Sequence, residues 1–169
     1  MDEKALYKIT YGLYVVSAQA DGQRGGCVVN TLQQVTAEPI RLSVAVSKEN
    51  FTCQLIQRAG RFAAVALDRR ADLMDIGRFG FRTGREIDKF QDIPFAQDKA
   101  GMPYPTKTAC AHYSCKVEQT LDLGTHVLFV GLAEEAEILS EEEALTYPYY
   151  RNVIKGKTPK NAPSYQKDQ

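Results

Sequence analysis

The strongest pattern along the chain is a strict alternation in residues 42–47, where Leu42, Val44 and Val46 interleave with Ser43, Ala45 and Ser47. Period two puts the branched apolar side chains on one buried face of a strand and turns a small-residue face elsewhere. Upstream, residues 3–9 suit a short leading helix, with Leu6 and Ile9 at helical spacing. Residues 11–19 are aromatic and β-branched, which favours a strand. The Asp21-Gly22 pair then marks a hairpin turn, and a second extended run follows from Cys27 through Thr36.

Downstream of Ser47 the period changes. Phe51, Leu55 and Ala59 share one face of a helix, with Asn50 as its N-cap and Gly60 just past its end. Residues 62–67 return to a strand, and a short helix is predicted near 71–79. Residues 80–108 carry no strong periodicity and are rich in Gly, Pro and Arg. Ala111, Tyr113, Cys115 and Val117 then alternate with His112, Ser114, Lys116 and Glu118, a half-buried strand that turns His112 to solvent. Gly124 to Leu139 supplies the last strands, beginning with the apolar run at 127–131. Six or seven strands with two or three short helices indicate a mainly β protein, a closed barrel or a sandwich decorated by helices. The strands lie too close in sequence for repeated βαβ crossovers.

The segment after Tyr147 is different. It carries Pro148, Pro159 and Pro163, and between Arg151 and Gln169 it holds five bases against one acid. It reads as an arm with little core of its own. Yet Tyr147, Tyr149, Tyr150 and Tyr165 are large rings with polar tips, which suggests docking onto the body or a dimer partner. The expected division is therefore a domain at 1–147 and a C-terminal arm at 148–169.

Composition narrows the class. The 169 residues suit one domain, and 21 Lys+Arg balance 21 Asp+Glu, which argues against a protein that coats nucleic acid. No apolar run approaches membrane-spanning length, and the acidic Met-Asp-Glu-Lys start lacks a secretory h-region. Four cysteines in a chain of this length make no disulfide scaffold, so a cytoplasmic setting without membrane partners is expected. Cys110 and Cys115 have four residues between them and no second cysteine pair nearby, so no metal site is expected. The G-x-G-x-x-G, Walker A, H-E-x-x-H and G-x-S-x-G patterns are all missing.

Three features carry candidate chemistry. In SKENFT, a strand ends at Ser47, Lys48 follows, and Asn50 precedes a helix whose first amides belong to Phe51, Thr52 and Cys53. Those amides, the hydroxyls of Ser47 and Thr52 and the ammonium make either a phosphate cradle or an ordinary helix start. RFGFRTGREIDKF, residues 78–90, packs four bases among two glycines and three Phe, and from Arg58 to Lys89 there are eight bases against five acids. Such a loop attracts an anionic planar ligand or is simply solvated. His126, at the head of an apolar strand, either donates to a bound ring or satisfies a backbone carbonyl.

Taken together, ALYKITYGLYVV, GGCVVNTLQQVTAEP, LSVAVSKENFT, FGFRTGREIDKF and GTHVLFVG resemble, in order, the flavin-reductase-like, FMN-binding split-barrel family over residues 5 to about 139. Within it the chain is most like flavoredoxins and the flavin domain of high-molecular-weight rubredoxins. The C-P-x-C-G cysteines of rubredoxin itself do not occur, which leaves the electron acceptor open. The resemblance implies a six-stranded split β-barrel with a few short helices, a homodimer, and one FMN per subunit. It also implies that Asn30 and Thr31 meet the flavin ring edge, with Gln33, Gln34 and Thr36 on the same stretch. Ser47, Lys48, Asn50 and Thr52 would hold the ribityl phosphate. Lys89 would reach the phosphate or ring, and His126 would lie near the ring from the other side. Cys27, three residues before Asn30, would be a soft neighbour of the ring or a packed thiol.

The implied activity is an oxidoreductase in which NADH or NADPH reduces bound FMN, with no catalytic side chain assigned because the cofactor carries the chemistry. The alternative is a flavoredoxin-like carrier serving a separate redox protein such as rubredoxin. A non-enzymatic module that holds another phosphorylated ligand on Lys48 and the arginine loop is the third possibility.

Overall fold

A computed structural model describes residues 1–158, 160 and 162 of the chain; Pro159, Pro163 and Tyr165, named above, lie outside the described residues. The leading helix is a short 3-10 segment at Glu3–Lys8. β1 (Tyr14–Ala20) and β2 (Gln23–Val29) form a hairpin, with φ of 51° at Asp21 and 73° at Gly22. Two successive positive φ angles give the turn whose twist matches right-handed strands, and Asp-Gly tolerates them.

The extended run expected from Cys27 through Thr36 breaks at residues 30–32. β2 ends at Val29 and a separate β3 (Gln33–Ala37) pairs with β4 (Ile40–Ser47). α1 (Phe51–Ala59) follows, closed by Gly60 at φ 63°, whose amide bonds to the Ile56 carbonyl. Then come β5 (Arg61–Leu67), α2 (Leu73–Gly80), the short hairpin β6 (Phe95–Gln97) and β7 (Pro103–Pro105), the long strands β8 (Ala109–Asp122) and β9 (His126–Ile138), and α3 (Tyr147–Asn152).

Seven strands form one antiparallel sheet in the order β2-β1-β5-β8-β9-β4-β3. Its two edges, β2 and β3, are consecutive in the chain. A flat seven-stranded sheet would hold its edges roughly 29 Å apart at ~4.8 Å per strand. The chain from Val29 to Gln33 spans at most about 14 Å. The sheet must therefore roll until its edges nearly meet, which produces a split barrel. Register shifts between Ser114/Cys115 and Val117/Gln119 interrupt the β8–β9 ladder, and such bulges bend a strand and increase its twist. The sheet has seven strands rather than six because the run broken at Asn30 contributes one to each edge.

The core is filled by Val16, Val44, Val46, Leu55, Ile56, Phe62, Phe129 and their neighbours, all under 2% exposed. β5 is buried on both faces. α1 lies against one face of β1 and β2, where Gly25 is in contact with Leu55. On the other face α2 sets Phe79 over Gly26. The β6–β7 hairpin covers the rest of that second face: Ser17 donates to the Pro103 carbonyl, Ser114 donates to Asp98 at 2.5 Å, and Tyr104 stacks on His112. This corrects the expectation for His112. It is 1% exposed, because residues that lack periodicity in sequence fold into the hairpin that roofs the polar face of β8.

Candidate functional site

The small-residue face of β4 is the starting point. Ser43, Ala45 and Ser47 sit opposite Val130, Leu128 and His126 of β9, so His126 shares their face. From Ser43 to Ser47 the strand runs about 13 Å at ~3.3 Å per residue. At one end this face opens into a groove of about 880 Å³ lined by Tyr11, Asn30, Gln33, Gln34, Ser43 and Ala45 among others. At the other end it meets the start of α1. Thr31 stands where β3 leaves the ladder: its hydroxyl donates to the Ala45 carbonyl at 2.9 Å and accepts from the Ala45 amide at 3.2 Å. It thus finishes the backbone pairing that β3 abandons and keeps this part of β4 flat.

The start of α1 is unlike the starts of the other two helices. α2 carries a full capping box from Asp72 and Asp75, and α3 is capped by Thr146. Asn50 occupies the α1 N-cap position in extended backbone, but its side chain makes no capping bond, and no acidic residue stands in the first turn. The positive end of the helix is left to an outside acceptor. Ser47 binds the loop instead, its carbonyl accepting from the Asn50 amide at 3.0 Å and its hydroxyl from the Glu49 amide.

In front of α1 lies a second cleft of about 660 Å³, lined by Asn50, Thr52, Phe81–Glu86, Lys89, Lys157 and Lys160 among others. Its floor is firm. Lys89 is 3% exposed and donates to the carbonyls of Gly26 at 2.8 Å and Phe79 at 3.0 Å, fastening the arginine loop to β2 and to the end of α2. Burial pulls its pKa down from the usual lysine value, with Cys27 nearby opposing. Gly84 lets the loop close on α1, where a Cβ would stand 3.3 Å from Phe51. Between the two clefts runs a narrow apolar seam of Leu13, Val28, Phe81, Tyr147 and Tyr150.

Asn30, Thr31, Gln33 and Gln34 line the groove, Asn50, Thr52 and Lys89 line the basic cleft, and Ser47 and His126 lie on the strand face between. Two stand apart. Thr36 donates to the Pro39 carbonyl within the β3–β4 hairpin, outside the groove lining. Lys48 pairs its ammonium with Asp122 at 2.6 Å and is not among the residues that line the basic cleft. His126 Nδ1 and the Thr125 hydroxyl share a hydrogen bond at 2.9 Å, while its Nε2 is a buried ring nitrogen with no partner among the described residues. The sequence does not single out Lys157 and Lys160: it shows the basic excess of the arm, but not that the arm folds back to this cleft.

The shape fits FMN on two observations: an uncapped helix start facing a basic cleft, and an unpartnered buried ring nitrogen at His126 on the way to a broad groove. Comparison with known proteins agrees. A ferric-chelate reductase (NAD(P)H) of Archaeoglobus fulgidus is 41% identical over 165 residues, covering 98% of each chain. A high molecular weight rubredoxin of Moorella thermoacetica is 40% identical over 98% of this chain and 72% of its own length. Among solved structures, an FMN-binding protein from Thermus thermophilus superposes with a TM-score of 0.72 at 25% identity, over 79% of this chain and 73% of that one. The model of the flavin reductase like domain matches residues 6–156, all seven strands of the sheet included. The chain belongs to the flavin reductase-like domain family.

Proposed function

We propose that this chain is an oxidoreductase that holds FMN along the small-residue face of β4, reduces it with NADH or NADPH, and passes the electrons to an acceptor. The observation that carries the reading is the uncapped start of α1, opening on a basic cleft at one end of a strand face that leads to a broad groove. When bound, FMN supplies the redox chemistry between nicotinamide and acceptor. The chain's part is to bind and orient. The first amides of α1, Asn50 and Thr52 receive the phosphate, with Ser47 and Nε2 of His126 next along the strand. Asn30, Gln33 and Gln34 meet the ring edge, and Thr31 serves by holding Ala45 in place. Lys89 adds positive charge from beneath the cleft. No side chain is assigned a nucleophilic or proton-transfer role.

The test is an absorption spectrum after mild purification, followed by anaerobic addition of NADH or NADPH. A yellow protein that bleaches is the expected result. A colourless protein that ignores added FMN overturns the reading.

The likeness to a rubredoxin-named relative that this chain covers over 72% of its length favours a second reading, an electron carrier serving a separate redox protein. Stopped-flow reduction by nicotinamide and by reduced rubredoxin separates the two, since a carrier reacts slowly with the first and quickly with the second. We further propose a homodimer, supported by the exposed edge strand β3, whose Val35 and neighbouring Ile40 are each 48% exposed. Light scattering checks it. Four free buried thiols suit a reducing cytoplasmic setting, and no helix of the described residues is long and apolar enough to cross a membrane.

A further inference from the structure

Elsewhere on the barrel many surface cations pair with carboxylates: Arg24 with Asp88, Arg41 with Glu118, Arg61 with Glu134, Arg69 with Glu143 and Lys107 with Asp75. The basic cleft breaks this habit. Arg82, Arg85, Lys89, Lys157 and Lys160 line it against only two acids, Glu49 and Glu86, and none of the five has a carboxylate partner among the described residues. In a chain of zero net charge this is a concentrated local excess.

A flavin phosphate at the start of α1 does not exhaust it. That phosphate is met by helix amides, Asn50 and Thr52, whereas the arginines and the arm lysines come to the same cleft of about 660 Å³ from two other segments of the chain. Arg85 is already set in place, its guanidinium 5.9 Å from the Phe51 ring centroid and donating to the Glu49 carbonyl at 3.4 Å. Arg82, exposed on the same loop, is free to swing. An arginine fork and exposed lysines suit a terminal phosphate monoester, which carries about −1.5 to −2 at neutral pH and presents three acceptor oxygens.

We infer that Arg82, Arg85, Lys157 and Lys160 form a subsite for the 2′-phosphate of NADPH, so that this chain prefers NADPH to NADH. The inference rests on the flavin-reductase reading and adds the identity of the reductant to it. NADH presents only its pyrophosphate and leaves the excess charge unmet. Because two of the four residues belong to the segment after α3, the arm supplies part of the nucleotide specificity as well as packing.

Calorimetric titration of the FMN-loaded protein with NADP⁺ and with NAD⁺ measures the preference without turnover. NADP⁺ is expected to bind about tenfold or more tightly, as one charge-assisted contact supplies, and to weaken more steeply with added salt. The smaller probes 2′,5′-ADP and 5′-ADP should repeat the ordering. In the double variant Arg82→Gln/Lys160→Gln, two exposed positions that leave the core untouched, the NADP⁺-to-NAD⁺ ratio should fall towards one. Equal affinities in the wild type, or a ratio that the double variant leaves unchanged, overturns the inference. Failure to retain FMN, or to bleach with either nucleotide, would instead strike the flavin-reductase reading itself.

Discussion

His112 lies flat on Tyr104 with ring centroids 3.9 Å apart, and neither ring nitrogen finds a partner among the described residues. Burial holds its pKa below the ordinary histidine value, and the nearby Asp98, Glu135 and Glu137 offset this only in part. The unfolded chain therefore takes up a proton that the folded one refuses. The stability this group contributes is intact above about pH 6.5 and is lost as pH falls from there towards the lowered folded value. His112→Phe keeps the stack and removes the titration, so its loss of stability between pH 7.5 and 5 should be smaller than that of the wild type. Urea unfolding at the two pH values checks this, and parallel losses would contradict it. Cys27 is the second such residue. Burial pushes its thiol up to about 11, although Lys89 and a bond from Thr52 pull the other way. Only about one molecule in a thousand would carry the thiolate at pH 8, so Cys27 should resist iodoacetamide in the native protein. Cys27→Ala should keep FMN and activity, and turnover lost with FMN retained would show that the thiol takes part.

At the scale of elements, the long β8–β9 pair depends on one glycine. Gly131 faces the side chains of Cys115 and Phe62, and a Cβ there would stand 2.9 Å from Cys115 Cβ and 3.0 Å from the Phe62 ring. Both neighbours are fully buried, so neither can yield cheaply. Gly131→Ala should cost about 1–3 kcal/mol by overpacking, with the urea midpoint falling accordingly; an unchanged midpoint would mean that the bent hairpin relaxes more easily than its packing implies. The helices show how far local rules reach. Gly60 ends α1 in the left-handed conformation its position suggests, and Asp72 caps α2 fully. The α1 N-cap departs from the rule at the place where the candidate phosphate site begins.

For the whole molecule, the arm is the element in question. Tyr147 and Tyr150 are buried, Tyr147 sits edge-on to Tyr11 at 6.1 Å, and its hydroxyl meets that of Thr158. Tyr150 donates to the Lys157 carbonyl at 2.9 Å. We propose that the chain divides into a barrel at 1–147 and an arm at 148–169, and that the arm, through Tyr150, Lys157 and Thr158, straps the seam between groove and basic cleft. Truncation after Tyr147 removes Tyr150 together with Lys157 and Lys160. It should weaken FMN retention and speed reoxidation of the reduced protein by oxygen, as followed by flavin absorbance. A truncated protein with wild-type retention and reoxidation would reduce the arm to a tail.

Much of this could be read from residues a few places apart. The β4 alternation, the Asp21-Gly22 turn, the Gly60 helix stop and the stretch from Ser47 to Thr52 are set by backbone sterics and side-chain period, which neighbours in sequence decide. The split barrel followed from family resemblance, and the three-residue link between its edges supplies the physical reason for it. Other features depend on distant parts of the chain meeting. His112 is buried because residues 95–105 roof its face, and alternation alone cannot tell a covered polar face from a wet one. Lys48 is committed to Asp122, which lies 74 residues away. The basic cleft joins Arg82 and Arg85 to Lys157 and Lys160 only because the buried rings of Tyr147 and Tyr150 bring the arm back across the barrel. Charge composition reveals the surplus of cations there, but only the packing of those two rings decides which face receives it.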